Sequence, residues 1–287
     1  MALQNATWYI GWLGEMRALL TPEVGMDTTE TRYGGTHQSL TGKRTIDITG
    51  YRTEYDLTWS YLTETEYEWL RALYVGHISQ SQYNVNPLKK NLMSQQASIG
   101  KPFGADDLGI YSSGLTVITG YANDFPTGPV PAAARCFNLI STSATNNFIR
   151  FDGSSKLIPL IPGQDVTYSV YVRCETGTIP FNWAIDCFTK YGVQTTTPSL
   201  AQTATTSWQR ITYTLTPSGD QAGTRMAFVF PTAGTKNLHI AAPQIEYASS
   251  VTDWELGGGS SKIIIDQLGT SSPRFPLTDV SATILEA

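Results

Sequence analysis

The chain has 287 residues and a mass of 31.4 kDa, with 41% hydrophobic residues, 15% charged residues and a net charge of −5. That apolar share argues against intrinsic disorder, and the acidic balance disfavours a nucleic-acid partner, which needs a positive field. No run of about 18 apolar residues is present to make a membrane-spanning helix.

Polarity comes largely from hydroxyls, with 38 Thr and 23 Ser. The opening Met1–Met16 stretch lacks a basic region followed by a clean apolar one, so no secretory signal is expected. Cys136, Cys174 and Cys187 are too few and too odd for a disulfide framework. His37, His77 and His239 lie far apart, so zinc-ligand spacing is missing and no metal or other cofactor is expected. Charge is unevenly spread: residues 1–90 carry 18 charged side chains, residues 91–258 carry 20, and the last 29 residues carry 5.

The first segment reads as strands and one helix. Thr45–Thr49 alternates and stops at Gly50; Glu54–Tyr61 alternates with Tyr55, Leu57, Trp59 and Tyr61 on one face. Thr63 with Glu66 three residues on forms a capping box, and a helix to Tyr74 follows, with Tyr67, Leu70 and Leu73/Tyr74 as its apolar stripe and Gly76 as its stop. Asn86-Pro87 marks a turn near the first composition boundary.

The middle segment predicts eight short strands, at about 110–121, 132–139, 146–151, 165–174, 181–189, 207–216, 224–230 and 237–246. Short strands without helices indicate a β-sandwich, and eight suit a jelly roll. Gly257-Gly258-Gly259-Ser260-Ser261 reads as a flexible linker. Beyond it, Lys262–Asp266 and Val280–Leu285 look like two further strands, too few for a domain. The expected fold is therefore mainly β. A small β domain with one amphipathic helix spans 1–90 and is completed by 260–287; a jelly roll spans 91–258.

Motifs for chemistry are sparse. The glycine run followed by Lys262 lacks the Gly-Lys-Ser/Thr of a phosphate loop. Asp106-Asp107 reads as a solvated loop rather than a cation site, since neighbours on a strand point to opposite faces. No Gly-x-Ser-x-Gly elbow is present. Asp152, Asp186 and Glu246 are candidate carboxylates for glycoside hydrolysis, each more simply a surface or turn residue. No catalytic residue is assigned, and the chain is read as a non-enzyme.

Four pieces recur in order in the middle segment: Asn91-Leu92-Met93, the Pro162–Arg173 strand with Gly163, Tyr168 and Ser169, the Ser207–Thr216 strand with Trp208 and Arg210, and Leu238–Glu246 with its Gln244-Ile245-Glu246 ending, followed by Asp253-Trp254-Glu255. Together they resemble the carbohydrate-binding-module type of jelly roll that phage tail proteins often carry. The flank, Gly50–Trp59, then a capped helix, then Tyr83–Pro87 running into Asn91, is similar to bacteriophage minor tail proteins, with a distal-tail-like arrangement.

The resemblance implies a virion protein of the tail tip: a homo-oligomeric ring among other tail proteins, projecting a jelly roll toward a host-surface glycan. It implies a structural calcium in many members, for which no ligands match here. Two alternatives stand beside it, a dedicated glycan-binding receptor module and a glycan depolymerase.

Strand parity offers a glycan face. Tyr168, Val170 and Val172 point inward, as do Phe181, Trp183, Ile185 and Cys187, then Met226, Phe228 and Phe230, then Leu238 and Ile240. If adjacent strands align, the other face collects Tyr171, Arg173, Asn182, Asp186, Arg225 and His239. Aromatic rings and planar polar groups of this kind suit sugars. Trp183 falls with the core, and Trp208 and Trp254 occupy positions that the resemblance makes structural.

Overall fold

Alternation decides much of the first ninety residues. The computed structural model describes residues 7–23, 27–76, 81–101, 108–113, 116–118, 126, 136–140, 147–153, 156–230 and 237–287. Asp106-Asp107 and His77 lie outside the described residues. Tyr55, Leu57 and Trp59 are buried while Asp56 and Thr58 between them are exposed. The strands are β1 (Trp8–Trp12), β2 (Glu15–Leu19), β3 (Asp27–Gln38) and β4 (Arg44–Leu62). Helix α1 (Glu64–Val75) and strand β5 (Gln82–Val85) follow.

Gly50 does not end a strand: β4 runs 19 residues through it, and the break in regularity is a register shift in which Tyr33 and Gly34 of β3 face Gly50 and Ile48, with Thr49 of β4 left over between them. Tyr61 leaves the buried face as well. Its φ of 60°, uncommon for a bulky residue, turns the ring outward to 57% exposure and puts Leu62 in the core instead.

The capping box forms as expected. The Thr63 hydroxyl accepts from the Glu66 N–H at 3.4 Å, and the Glu66 carboxylate accepts from the Thr63 N–H at 3.0 Å. The buried stripe of α1 is Trp69, Leu70 and Leu73, with Tyr74 exposed. Trp69 Nε1 donates to the Ile10 carbonyl at 3.0 Å, and the Arg17 guanidinium lies 4.0 Å from the Trp69 ring centre.

The rest of the chain holds α2 (Gln95–Ser98), β6 (Ile110–Ser113), β7 (Thr116–Ile118), β8 (Cys136–Ile140), β9 (Asn147–Phe151) and β10 (Ile158–Pro159). Then come β11 (Val166–Cys174), β12 (Ile179–Phe188), β13 (Ser199–Ala204), β14 (Gln209–Leu215), β15 (Gly223–Phe230) and β16 (Leu238–Tyr247). The chain closes with β17 (Ser260–Arg274) and β18 (Leu277–Glu286).

The fold is mainly β, as the sequence predicts. One seven-stranded sheet has the order β2-β1-β5-β17-β18-β4-β3, so the last two strands of the chain sit between β5 and β4. The chain divides into two compact units, one of residues 1–11, 17–84 and 262–287, the other of residues 12–16 and 85–261.

The second unit is a β-sandwich. A six-stranded sheet has the path β13-β12-β15-β9-β6, with β10 beside β15, and a five-stranded sheet has the order β14-β11-β16-β8-β7. Its core is aromatic. Phe228 has Phe181 at 5.2 Å, Phe151 at 5.8 Å and Trp183 stacked at 6.5 Å between ring centres. Burying such a side chain is worth about 1.5–3 kcal/mol. Tyr168 of one sheet donates from its hydroxyl to Thr224 Oγ1 of the other at 2.8 Å, so its phenol is satisfied inside the core.

The run 257–259 is not a loose linker. The Gly258 N–H donates to the Met93 carbonyl at 2.7 Å, and the Gly259 N–H to the Asn91 carbonyl at 2.8 Å. A Cβ on Gly257 would stand 2.5 Å from the Met93 and Ser94 oxygens. Glycine is needed here because two backbones approach too closely for any side chain.

Candidate glycan-binding face

The six residues assigned to one face by parity divide between two sheets. Tyr171 and Arg173 lie on β11 and His239 on β16, in the five-stranded sheet; Asn182 and Asp186 lie on β12 and Arg225 on β15, in the six-stranded sheet. The inward residues Tyr168, Val170, Val172, Phe181, Trp183 and Ile185 are all buried, but so are Asp186, Arg225 and His239 of the outward set, so only Tyr171, Arg173 and Asn182 are partly exposed. What fails is the assumption that β11 and β12 are neighbours. They are consecutive in the chain, but the connection between them crosses from one sheet to the other.

On the five-stranded sheet, Arg173 faces His239 in register. The Arg173 guanidinium lies 5.4 Å from the Trp208 ring centre, and the His239 ring meets Trp208 edge-on at 6.4 Å. Glu175 Oε1 is 4.0 Å from His239 Nε2. Tyr171 packs against Ala242 and Trp254, with the Arg210 guanidinium 5.3 Å from its ring centre. Arg210 donates to Ser169 Oγ at 3.0 Å and to the Thr252 carbonyl at 2.7 Å. This group ties β11, β14 and the 248–254 turn together.

The six-stranded sheet gathers a different set. One row in register crosses five strands: Ser199, Ala184, Ala227, Arg150 and Tyr111. A parallel row holds Ala201, Asn182, Val229, Phe148 and Ser113. Ala184 and Ala227 alternate with the inward Trp183, Ile185, Met226 and Phe228, yet are only 4% and 2% exposed. This row of small side chains, the trough, runs between Asn182 and Val229 on one side and Asp186 and Arg225 on the other.

Its polar wall is a charge network. Arg225 Nε donates to Asp186 Oδ2 at 3.1 Å, Arg150 Nε stands 3.6 Å from the same oxygen, and Gln194 Nε2 donates to Asp186 Oδ1 at 3.2 Å. At the far end the Arg150 guanidinium lies 4.3 Å from the Phe148 ring centre, and Tyr111, 40% exposed, is 6.0 Å from Phe148. Arg150, Tyr111 and Phe148 were missed by the sequence reading. The alternation in β9, with Ile149 and Phe151 inward and Phe148 and Arg150 outward, carries the signal that finds two of them. Gln194 comes from the turn after β12 and has no periodic signal.

The other carboxylates have structural partners. Asp152, fully buried, accepts from the Ser94 N–H at 3.1 Å, the Gly109 N–H at 3.0 Å and the Ser94 hydroxyl. Burial outweighs these donors and raises its pKa. Glu246 accepts from Thr252 N–H at 2.9 Å, Thr252 Oγ1 at 2.6 Å and Gln244 Nε2 at 2.8 Å. Asn91 Nδ2 donates to the carbonyls of Pro243 and Glu255, at 3.2 and 2.9 Å, and its Oδ1 accepts from Ile245 N–H at 3.3 Å. Trp254 Nε1 donates to the Pro243 carbonyl at 3.1 Å. The Asn-Leu, Gln-x-Glu and Thr-x-Trp pieces of the sequence thus form one closure of the sandwich.

Cys174 and Cys187 are free, buried thiols; burial, with the Asp186 charge next, pushes Cys187 up to about 11. Among the described residues no group of three or more His, Cys, Asp or Glu side chains could hold a metal ion. Among the same residues, no helix is long and apolar enough to cross a membrane.

No protein-family model and no curated protein matches the sequence. Solved structures with a similar backbone include the enzymatically active domain of tailspike protein 4 of bacteriophage CBA120, at 13% identity and a TM-score of 0.42. The match covers 55% of this chain and 21% of that one. A second is the CBM22-1 xylan-binding domain of Paenibacillus barcinonensis Xyn10C, at 12% identity and TM-score 0.37, covering 55% of this chain and 94% of that one. A third is the family 11 carbohydrate-binding module of Clostridium thermocellum in complex with a β-1,3-1,4-mixed-linked tetrasaccharide, at 10% identity and TM-score 0.38. It covers 57% of this chain and 98% of that one.

Proposed function

We propose that the β-sandwich unit binds a glycan along the trough of its six-stranded sheet, and that the chain is a non-enzymatic structural protein of a bacteriophage tail. The observation that carries the glycan reading is the row Ala184–Ala227–Arg150–Tyr111, whose small, covered alanines lead to a partly exposed guanidinium and an exposed ring. A sugar needs this combination: C–H faces that lie on methyl groups or rings, and paired hydroxyls that accept planar donors. Arg150 offers such donors, and its 32% side-chain exposure leaves it reachable by a ligand.

Binding rather than hydrolysis is favoured by the carboxylates. Asp152 and Glu246 are held by backbone and side-chain donors, and Asp186 by Arg225, Arg150 and Gln194, so that among the described residues no acid and base pair faces the trough. The tail reading rests on the ordered sequence resemblance of residues 50–91, with the seven-stranded unit as the assembly domain among other tail proteins.

The test is retention of purified chain on bacterial cell walls and on capsular polysaccharides in affinity gels. Tyr111→Ala should weaken retention by roughly tenfold, about 1.4 kcal/mol, with an unchanged melting temperature, and Arg150→Ala by as much with a lowered melting temperature, since the buried Asp186 loses a cation. Equal retention of both variants would remove the trough as the site. Labelled antibody against the chain, imaged on intact phage particles, tests the tail assignment separately.

A further inference from the structure

Strand β3 is the last in the order of the seven-stranded sheet, and all of its residues but Gly35 are exposed. β18 accompanies β4 only as far as Glu54, which faces Leu285. From Glu30 onward, β3 and β4 therefore continue as a two-stranded ribbon, with Gln38 facing Arg44 at its end. Such a ribbon is marginally stable by itself in water, and the open N–H and C=O groups of an edge strand are a template for a further strand.

We infer that this edge is a self-association surface: β3 pairs antiparallel with β3 of a second copy about a two-fold axis through Thr31. The sequence of charges selects both the partner and the register. A two-fold axis normal to a continuous sheet keeps every side chain on its own face. Side chains alternate along a strand, so residues that face each other across the axis must be an even number apart. The regular part of β3 is Asp27–Tyr33, because the register shift follows Tyr33.

Within that stretch few axes are allowed. An axis on Glu30 puts two carboxylates together, and one on Arg32 puts two guanidinium groups together. Axes on Thr28 or Thr29 bring no opposite charges into register. The axis on Thr31 sets Glu30 of each copy opposite Arg32 of the other, twice, with Thr29 facing Tyr33. Opposite charges directly across a strand pair are favourable and like charges are not. The contact is isologous and closes at two copies, independently of any glycan bound by the sandwich.

The full-length chain tests this directly. Thr31→Cys should form a disulfide-linked dimer under mild oxidation, since residue 31 faces itself at a Cα separation of about 4.5–5.5 Å, within disulfide range. Thr29→Cys, which faces Tyr33, should not. In sedimentation experiments at low salt, Glu30→Arg and Arg32→Glu should each raise the dimer dissociation constant by about tenfold. The double variant, with the charges exchanged, should restore it. A chain that stays monomeric, oligomers that ignore the charge reversals, or equal crosslinking at 29 and 31 would each overturn the inference.

Discussion

Asp186 and Arg225 face each other across β12 and β15, with Nε 3.1 Å from Oδ2 and both side chains about nineteen-twentieths buried. A charge so placed is costly without its partner. Arg225→Met should destabilise the sandwich by about 3–5 kcal/mol, because Asp186 would keep only the more distant Arg150 and one carboxamide. Adding Asp186→Leu should recover much of that loss, since an apolar pair often replaces a buried ion pair at little cost. Urea unfolding of the single and double variants checks this; a double variant less stable than the single would refute it.

Asp152 gives the sandwich a pH dependence of definite sign. Burial makes its carboxyl hold a proton more tightly folded than unfolded, so its pKa is raised on folding. Its contribution to stability is then complete below the ordinary value of 3.8 and is lost as pH rises through the raised folded value. Asp152→Asn removes that dependence, and at neutral pH costs about 1–3 kcal/mol, because its amide nitrogen cannot accept from an N–H or hydroxyl of Ser94 or Gly109. The gap between wild type and Asp152→Asn should therefore shift in favour of wild type as the medium is acidified. A gap independent of pH would argue against the raised carboxyl.

The parts of this fold legible in the sequence are those set by local periodicity. Thr63 and Glu66 specify a helix start within four residues, and Tyr168, Val170 and Val172 specify a buried face through alternation alone. Tyr61 was misread because a single residue with positive φ shifts the register, and nothing in Trp59-Ser60-Tyr61-Leu62 announces it. The single outward face drawn from parity was misread for a different reason. Arg173 and Asn182 are nine residues apart in the chain, but which sheet each strand joins depends on pairings with residues 209–247, far along the sequence. Trough residues came out of the same gap: Arg150 meets Ala227 only because β9 lies beside β15. Gly257–Gly259 were misread because a close backbone approach and a flexible tether call for the same residue.

The close approach at Gly257 makes a sharp prediction. Gly257→Ala would drive a methyl group against the Met93 and Ser94 carbonyls, where the nearest oxygens stand at 2.5 Å and are backbone atoms unable to rotate away. The expected cost is about 1–3 kcal/mol, as for other overpacked sites. Gly163 is the control: its φ is +77° and nothing lies within 4 Å of a built Cβ, so Gly163→Ala should cost only the backbone strain of about 1–2 kcal/mol. Thermal melts rank the pair. A flexible segment at 257 would instead accept alanine with no loss, leaving Gly163→Ala the more damaging change.

Removing residues 262–287 tests how the seven-stranded sheet is closed. β18 lies between β17 and β4, with Ala282 facing Leu57 and Ile284 facing Tyr55, and β17 in turn lies beside β5. The deletion takes out Ile263, Ile265, Val280 and Ile284, all buried. At about 1.5–3 kcal/mol for each, the loss is comparable to the 5–15 kcal/mol that stabilises a whole domain. It also leaves β4 and β5 with unpaired inner edges. Calorimetry of the truncated chain should lose the transition of this unit and keep that of the β-sandwich, while Ile284→Ala alone should lower the first transition by about 2–5 kcal/mol. A truncated chain that retained both transitions would mean that the sheet is held by β3, β4 and α1 without its last two strands.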